Sequence, residues 1–135
     1  MAARTGSKGV HIALWVAQGL LAAAFGMAGL MKLTKPADEL VQMGMSFVAH
    51  YEPGTVRFIG ITEVLAAIGL ILPAALRILP ILTPLAATGL AAVMVLATHF
   101  HFTHGEPFLP NLILFALCAF VAWGRFKMAP IQARA

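Results

Sequence analysis

Apolar residues fall along this chain in four long runs, separated by short clusters of charge, proline and glycine. Residues 10–31, 78–98 and 108–124 carry no charged side chain, and residues 58–76 carry only Glu63. At a rise of about 1.5 Å per residue these runs reach roughly 25–33 Å, which matches a bilayer hydrocarbon core of about 30 Å. The pattern predicts an all-α fold, a transmembrane four-helix bundle with helices over about residues 10–33, 57–76, 78–102 and 108–126. The first run is longer than the apolar core of a signal peptide, about 7–15 residues, so it reads as a span that is kept.

The connections differ in kind. Arg77 lies between Pro73 and Pro80, which predicts a tight antiparallel hairpin joining the second and third helices. Pro80 and Pro84 are expected in the first turns of the third helix and Pro110 in that of the fourth, where proline is best tolerated. Between the first two spans, Pro36, Asp38 and Glu39 form a favourable first helical turn, because proline needs no donor there and acids suit the positive helix end. Leu40, Met43, Gly44 and Phe47 then fall on one face and Glu39, Gln42, Ser46 and His50 on another. This predicts a short amphipathic interfacial helix over about residues 36–50, ended by a turn at Glu52, Pro53 and Gly54.

Composition agrees with the spans and narrows the function. Hydrophobic residues make up 61% and charged residues 10%, with a mean hydropathy of +0.91. Soluble domains hold about 45–50% and about 25%, and even a domain of about 150 residues exposes roughly 30% of its unfolded-chain surface. So much apolar side chain needs lipid as its solvent. The net charge of +4 sits at the edges of the apolar runs, not in a basic stripe, which argues against nucleic acid as a partner. Cys118 is the sole cysteine, so a redox role needs a partner or a bound cofactor.

Arg4, Lys8, Arg77, Arg125, Lys127 and Arg134 gather on the side of the termini, against Lys32, Lys35 and Arg57 opposite. This predicts a multi-pass protein of the cell membrane with its N- and C-termini cytoplasmic. Trp15 and Trp123 fall near the same boundary, where indole rings favour the interface.

Antiparallel threading brings most of the remaining polar groups to the other side: Lys32, Arg57, Thr62, Glu63, Thr98, His99, His101, His104, Glu106 and Asn111. Glu63 lies inside its span, where a carboxylate costs on the order of 3 kcal/mol and so must face the bundle and find a partner. Lys32, at the matching end of the first helix, is that expected partner. Gly26, Ala28, Gly29, Gly60 and Ala67 flank the pair at spacings that permit close backbone contact. On a helix His99 and His101 point about 200° apart, and neither Cys nor Asp accompanies the histidines, so no metal site is expected. Phe100, Phe102 and Phe108 read as interface anchors.

Three segments carry a family resemblance: Phe25-Gly26-Met27-Ala28-Gly29-Leu30-Met31-Lys32-Leu33, Gly60-Ile61-Thr62-Glu63-Val64-Leu65 on to Gly69 and Pro73, and Thr83-Pro84-Leu85-Ala86-Ala87. With Asn111-Leu112-Ile113-Leu114 ahead of Gly124-Arg125, the chain resembles the DoxX-like family of small four-helix integral membrane proteins. The resemblance implies one such membrane domain over residues 1–135. Some family members are similar to the small membrane subunits of thiosulfate:quinone oxidoreductase, and others are tied to redox homeostasis or membrane-protein assembly. The recurrent Lys and Glu of the family's first two helices map to Lys32 and Glu63.

The expectation is therefore a redox-accessory subunit with a quinone- or small-ligand-binding pocket at the extracytoplasmic end of the bundle. Glu63 and Lys32 are its expected catalytic pair, and Thr62, Thr98, His99, His101 and Asn111 its ligand-binding residues. The sequence leaves the cofactor open, with a quinone as the candidate. Expected partners are membrane lipid, further subunits of a redox complex and a second copy of the chain. The alternative is a non-catalytic membrane scaffold or assembly factor for a partner protein. A transporter or channel ranks below both, because four short helices leave little room for alternating access.

Overall fold

The structure, a computed structural model, describes residues 7–135. Arg4, one of the charges behind the expected orientation, lies outside the described residues. Four long helices form the bundle: α1 (Lys8–Thr34), α3 (Pro53–Leu76), α4 (Leu82–Thr103) and α5 (Leu109–Trp123). A π-helical turn over Gly124–Met128 extends the last of them. Between α1 and α3 lie a one-and-a-half-turn helix, α2 (Ala37–Gln42), and a 3-10 helix over Ser46–His50. All four long helices, α5 counted with its π turn, are long and apolar enough to cross a membrane.

Helix α1 packs mainly on α3, and α4 on α5, with α3 against α4 joining the two pairs. Leu21, Phe25, Leu70, Ala87, Leu90, Cys118 and Val121 meet in the centre, while Leu20, Leu65, Leu72, Leu96 and Ile113 stand outward. Lipid tails are as apolar as those outward residues, so apolar burial cannot by itself drive the helices together; close packing and polar contacts must. The α1–α3 seam shows how. A Cβ on Gly29 would sit 2.7 Å from the Gly60 carbonyl oxygen, and one on Gly60 would sit 2.9 Å from the Gly29 carbonyl oxygen. Near the hairpin α3 meets α4 directly: the Thr83 hydroxyl donates to the Gly69 carbonyl at 2.8 Å and Gly69 faces Ala86.

Several element boundaries differ from those expected. Helix α3 starts at Pro53, not near residue 57, because proline occupies its first position, where the missing donor costs nothing. Helix α4 starts at Leu82, not residue 78, and Pro80 lies in the turn before it. Leu79 precedes that proline, which disfavours a right-handed helical backbone, and both Arg77 (φ 57°) and Leu79 (φ 48°) are left-handed. The chain's C-terminal segment braces this turn: Arg77 Nε donates to the Gln132 carbonyl at 2.8 Å, and the Arg134 amide donates to the Arg77 carbonyl at 2.9 Å.

The interfacial segment is not one helix over residues 36–50. Gly44 adopts φ 101°, which breaks it into α2 and the 3-10 helix and resets the side-chain register. Consequently Val48 is buried beside Leu40 and Val56, while Met43 is exposed. Ser46, placed with His50 on the polar face, reaches Glu106 in the connection after α4, and the exposed His50 ring meets Phe100 of α4.

At the end of the bundle that holds the termini, Arg125 is not a flanking surface charge but is 3% exposed. Its Nε donates to Gln18 Oε1 at 2.8 Å, its Nη1 donates to the Ala129 carbonyl at 2.9 Å and lies 3.1 Å from His11 Nδ1, and Trp15 packs over it. Gln18 in turn donates to the Leu70 carbonyl at 2.7 Å, so one buried network ties α1, α3 and the π turn. Arg125 Nη2 has no hydrogen-bond partner among the described residues.

Candidate functional site

Lys32 sits in the last turn of α1 and Glu63 in the third turn of α3, and the Gly29–Gly60 contact brings them face to face. Lys32 Nζ donates to Glu63 Oε1 at 2.6 Å, with side-chain exposures of 7% and 4%. Arg57 Nη1 donates to the Lys32 carbonyl at 2.8 Å, satisfying one of the acceptors that the end of α1 leaves free. Lys32 Nζ also lies 5.6 Å from the centre of the Phe47 ring, a cation–π distance.

The pair forms part of the wall of a cavity of about 410 Å³ between α3, α4 and the α1–α3 linker. Ile59 and Glu63 line it from α3, Met94, Phe100 and His101 from α4, and Asn111 from α5; Met45, Phe47 and Tyr51 form the linker side. Among the described residues the Asn111 amide makes only a long contact to the Met94 sulfur, 3.8 Å, which leaves most of its hydrogen-bonding capacity unused there. Of the residues expected at the site, Lys32, Glu63, His101 and Asn111 are thus brought together. Thr62 and Thr98 are not: their hydroxyls donate within their own helices, to the Ile59 and Met94 carbonyls. His99 is exposed and absent from the cavity wall.

Sequence reasoning missed the linker's share of the wall and the clasp that holds it. Ser46 Oγ donates to Glu106 Oε1 at 2.8 Å, and His101 Nδ1 donates to the same oxygen at 2.7 Å, which ties the linker to α4 and the α4–α5 connection. Rings reinforce it. Phe100, expected as a lipid anchor, stacks on His104 at 3.9 Å and meets His50 at 5.3 Å and Tyr51 at 6.2 Å. The available signal was Ser46 within an otherwise apolar stretch and Glu106 in a five-residue connection. Their pairing spans 60 positions and has no local spacing rule. Among the described residues no group of three or more His, Cys, Asp or Glu side chains could hold a metal ion.

The hydrogen bond from Ser46, and secondly that from His101, holds the Glu106 carboxyl below the usual carboxylate range. A carboxyl lowered in the folded state contributes stability above its unfolded value, and that contribution is lost as pH falls through the lowered folded value. The clasp is therefore expected to hold at neutral pH and to release only with a midpoint below 4.5, the ordinary value. Backbone NMR signals of Ser46 and Phe47 should report one titration there, absent in Glu106→Gln. A midpoint at or above 4.5 counts against the clasp.

Four apolar helices, an outward apolar surface and buried polar contacts between helices define a multi-pass integral membrane protein of the four-helix type. A model of the DoxX-like family matches residues 16–124, and the chain belongs to that family. No curated protein and no solved structure matches the chain.

Proposed function

We propose that the chain is a redox-accessory membrane subunit whose cavity binds the ring of a quinone or a similar small ligand. One observation carries the reading: a buried acid–base pair forms part of the wall of a cavity otherwise walled by aromatic and apolar side chains. A volume of about 410 Å³, with Phe47, Tyr51 and Phe100 in its wall, suits a flat ring with a short piece of its tail. A bound quinone carries two electrons and two protons between a donor and an acceptor. The electrons come from a partner subunit, because Cys118 is this chain's single cysteine and cannot form a dithiol within it. Glu63 gives or takes a proton at the carboxylate oxygen that Lys32 does not hold, and His101 does so at Nε2, since Glu106 engages Nδ1. Lys32 steadies negative charge on the ring oxygens. In this reading the site faces away from the cytoplasm and both termini lie inside.

Glu63→Gln keeps the size of the side chain and removes the charge. In nanodiscs it should weaken binding of decylubiquinone, read by calorimetric titration, at least about tenfold, or about 1.4 kcal/mol. Unchanged affinity removes Glu63 from the site's chemistry.

A second reading, a non-catalytic scaffold or assembly factor, is favoured by the placement of Lys32 and Glu63 beside the close Gly29–Gly60 helix contact, where an ion pair also serves as a lock between α1 and α3. Co-purification of a stable partner that survives loss of the pair would support it.

A further inference from the structure

We infer that the cavity is filled from the bilayer, through the gap between α3 and α4, by a neutral single-tailed amphiphile whose head meets Lys32, Glu63 and Asn111 and whose tail runs out past Leu96. The inference rests on the reading of the cavity as a ligand site and adds the route and the ligand's charge and shape.

The helix contacts set the route. Near the hairpin α3 is held to α4 by the Thr83–Gly69 hydrogen bond and the close approach of Gly69 to Ala86. At the opposite end α3 is held to α1 instead, through Gly29 and Gly60, and the cavity occupies the space this leaves between α3 and α4. The linker covers one side and is fastened to α4 by the Ser46–Glu106–His101 clasp and the rings around Phe100. The side between the helices has no such fastening among the described residues. Ile59 on α3 and Val93, Leu96 and Ala97 on α4 line it, and Leu96 is 71% exposed on the outer face while still lining the cavity. Apolar surface therefore runs without a polar break from the cavity wall to the acyl chains.

The polar pole sets the ligand's charge. Lys32 and Glu63 already neutralise each other at 2.6 Å, so an anionic or cationic head would have to break that bond or enter without a counter-charge, and either is costly in a site shielded from water. A neutral head that both donates and accepts meets no such cost. Two Lys32 N–H groups, one Glu63 oxygen and most of the Asn111 amide are available to it. A cavity of about 410 Å³ holds such a head and the start of one chain, not the two chains of a phospholipid.

The test uses the full chain in nanodiscs, with Cys118→Ala as background, mixed with liposomes carrying decylubiquinone, monoolein or oleate. Native mass spectrometry reads the fraction of protein carrying each probe against time. Decylubiquinone and monoolein should be retained, and oleate at least tenfold less. Joining Ile59→Cys to Leu96→Cys with a thiol-cleavable bismaleimide should slow loading at least tenfold, and cleavage should restore it, which separates blockage from misfolding. A Ser46→Cys/Glu106→Cys disulfide, which pins the linker, should leave loading unchanged. Loading slowed by that disulfide and not by the staple overturns the route, as does loading that the staple leaves unchanged, while the quinone reading stands. Equal retention of oleate overturns the neutral-ligand assignment. Retention of monoolein without decylubiquinone ends the quinone reading and leaves this inference intact. Retention of no probe overturns both.

Discussion

Lys32→Met, made alone, is expected to destabilise the bundle by about 3–5 kcal/mol, because it leaves the Glu63 carboxylate buried between α1 and α3 without its counter-charge. The independent cost of a charged side chain near a helix centre in lipid, about 2.5–3.5 kcal/mol, has the same size. Glu63→Leu, made alone, should lose a comparable amount by stranding the Lys32 ammonium. The double variant Lys32→Met/Glu63→Leu should recover most of the loss, since two apolar side chains of similar volume satisfy the same seam without any desolvated charge. Unfolding in detergent, followed by circular dichroism across the wild type, both single variants and the double, gives the coupling energy directly. Additive losses would show that the two groups do not act as a pair. The double variant also separates the two functional readings: a folded protein that no longer binds a ring ligand supports the redox site, whereas one that still holds its partner supports the scaffold.

Gly29→Ala is expected to have the next largest effect. The added methyl would stand 2.7 Å from the Gly60 carbonyl oxygen, 2.8 Å from Val64 Cγ2 and 3.0 Å from the Val64 amide nitrogen. Two of those atoms are backbone, so no rotamer change relieves the clash, and the helices must separate. Overpacking of this kind costs about 1–3 kcal/mol. It should also lengthen the Lys32–Glu63 contact just one turn away and so weaken ligand binding without altering either charged residue. Gly19→Ala and Gly89→Ala are the controls, since a Cβ at either meets nothing within 4 Å among the described residues. There alanine's helix preference, worth about 1 kcal/mol over glycine, should leave stability unchanged or raised. Equal melting temperatures for Gly29→Ala and Gly19→Ala would contradict the close seam.

Much of the architecture is legible in the chain because it depends on one-dimensional facts. Charge-free runs of bilayer length mark the spans, and the position of Glu63 inside an otherwise uncharged run, opposite Lys32 after antiparallel threading, marks the ion pair. Gly26, Gly29, Gly60 and Ala67 mark the seam, since helical spacing alone puts them on one face. The boundaries at Pro53 and Leu82 were less readable, because a proline signals a helix start and a helix break with the same letter.

What local pattern cannot encode is partnership across large separations. Thr62, Thr98 and His99 share an end of the bundle with Lys32, yet a rotation of roughly 100° per residue about each helix decides which side chains reach the cavity, and Thr62 and Thr98 bond to their own helices. Phe47, Tyr51 and Phe100 become cavity walls, and Ser46, His101 and Glu106 a clasp, only because the break at Gly44 turns the linker toward α4. Arg125 has the composition of a flanking charge, and only the docking of Gln18 from α1 makes it a buried donor. The membrane class, the four spans and the paired charges follow from the order of residues alone, because lipid solvation acts on each segment separately. The tertiary structure alone decided the cavity, its walls and its fastening, because those arise from how helices rotate and lean against one another once they share the bilayer.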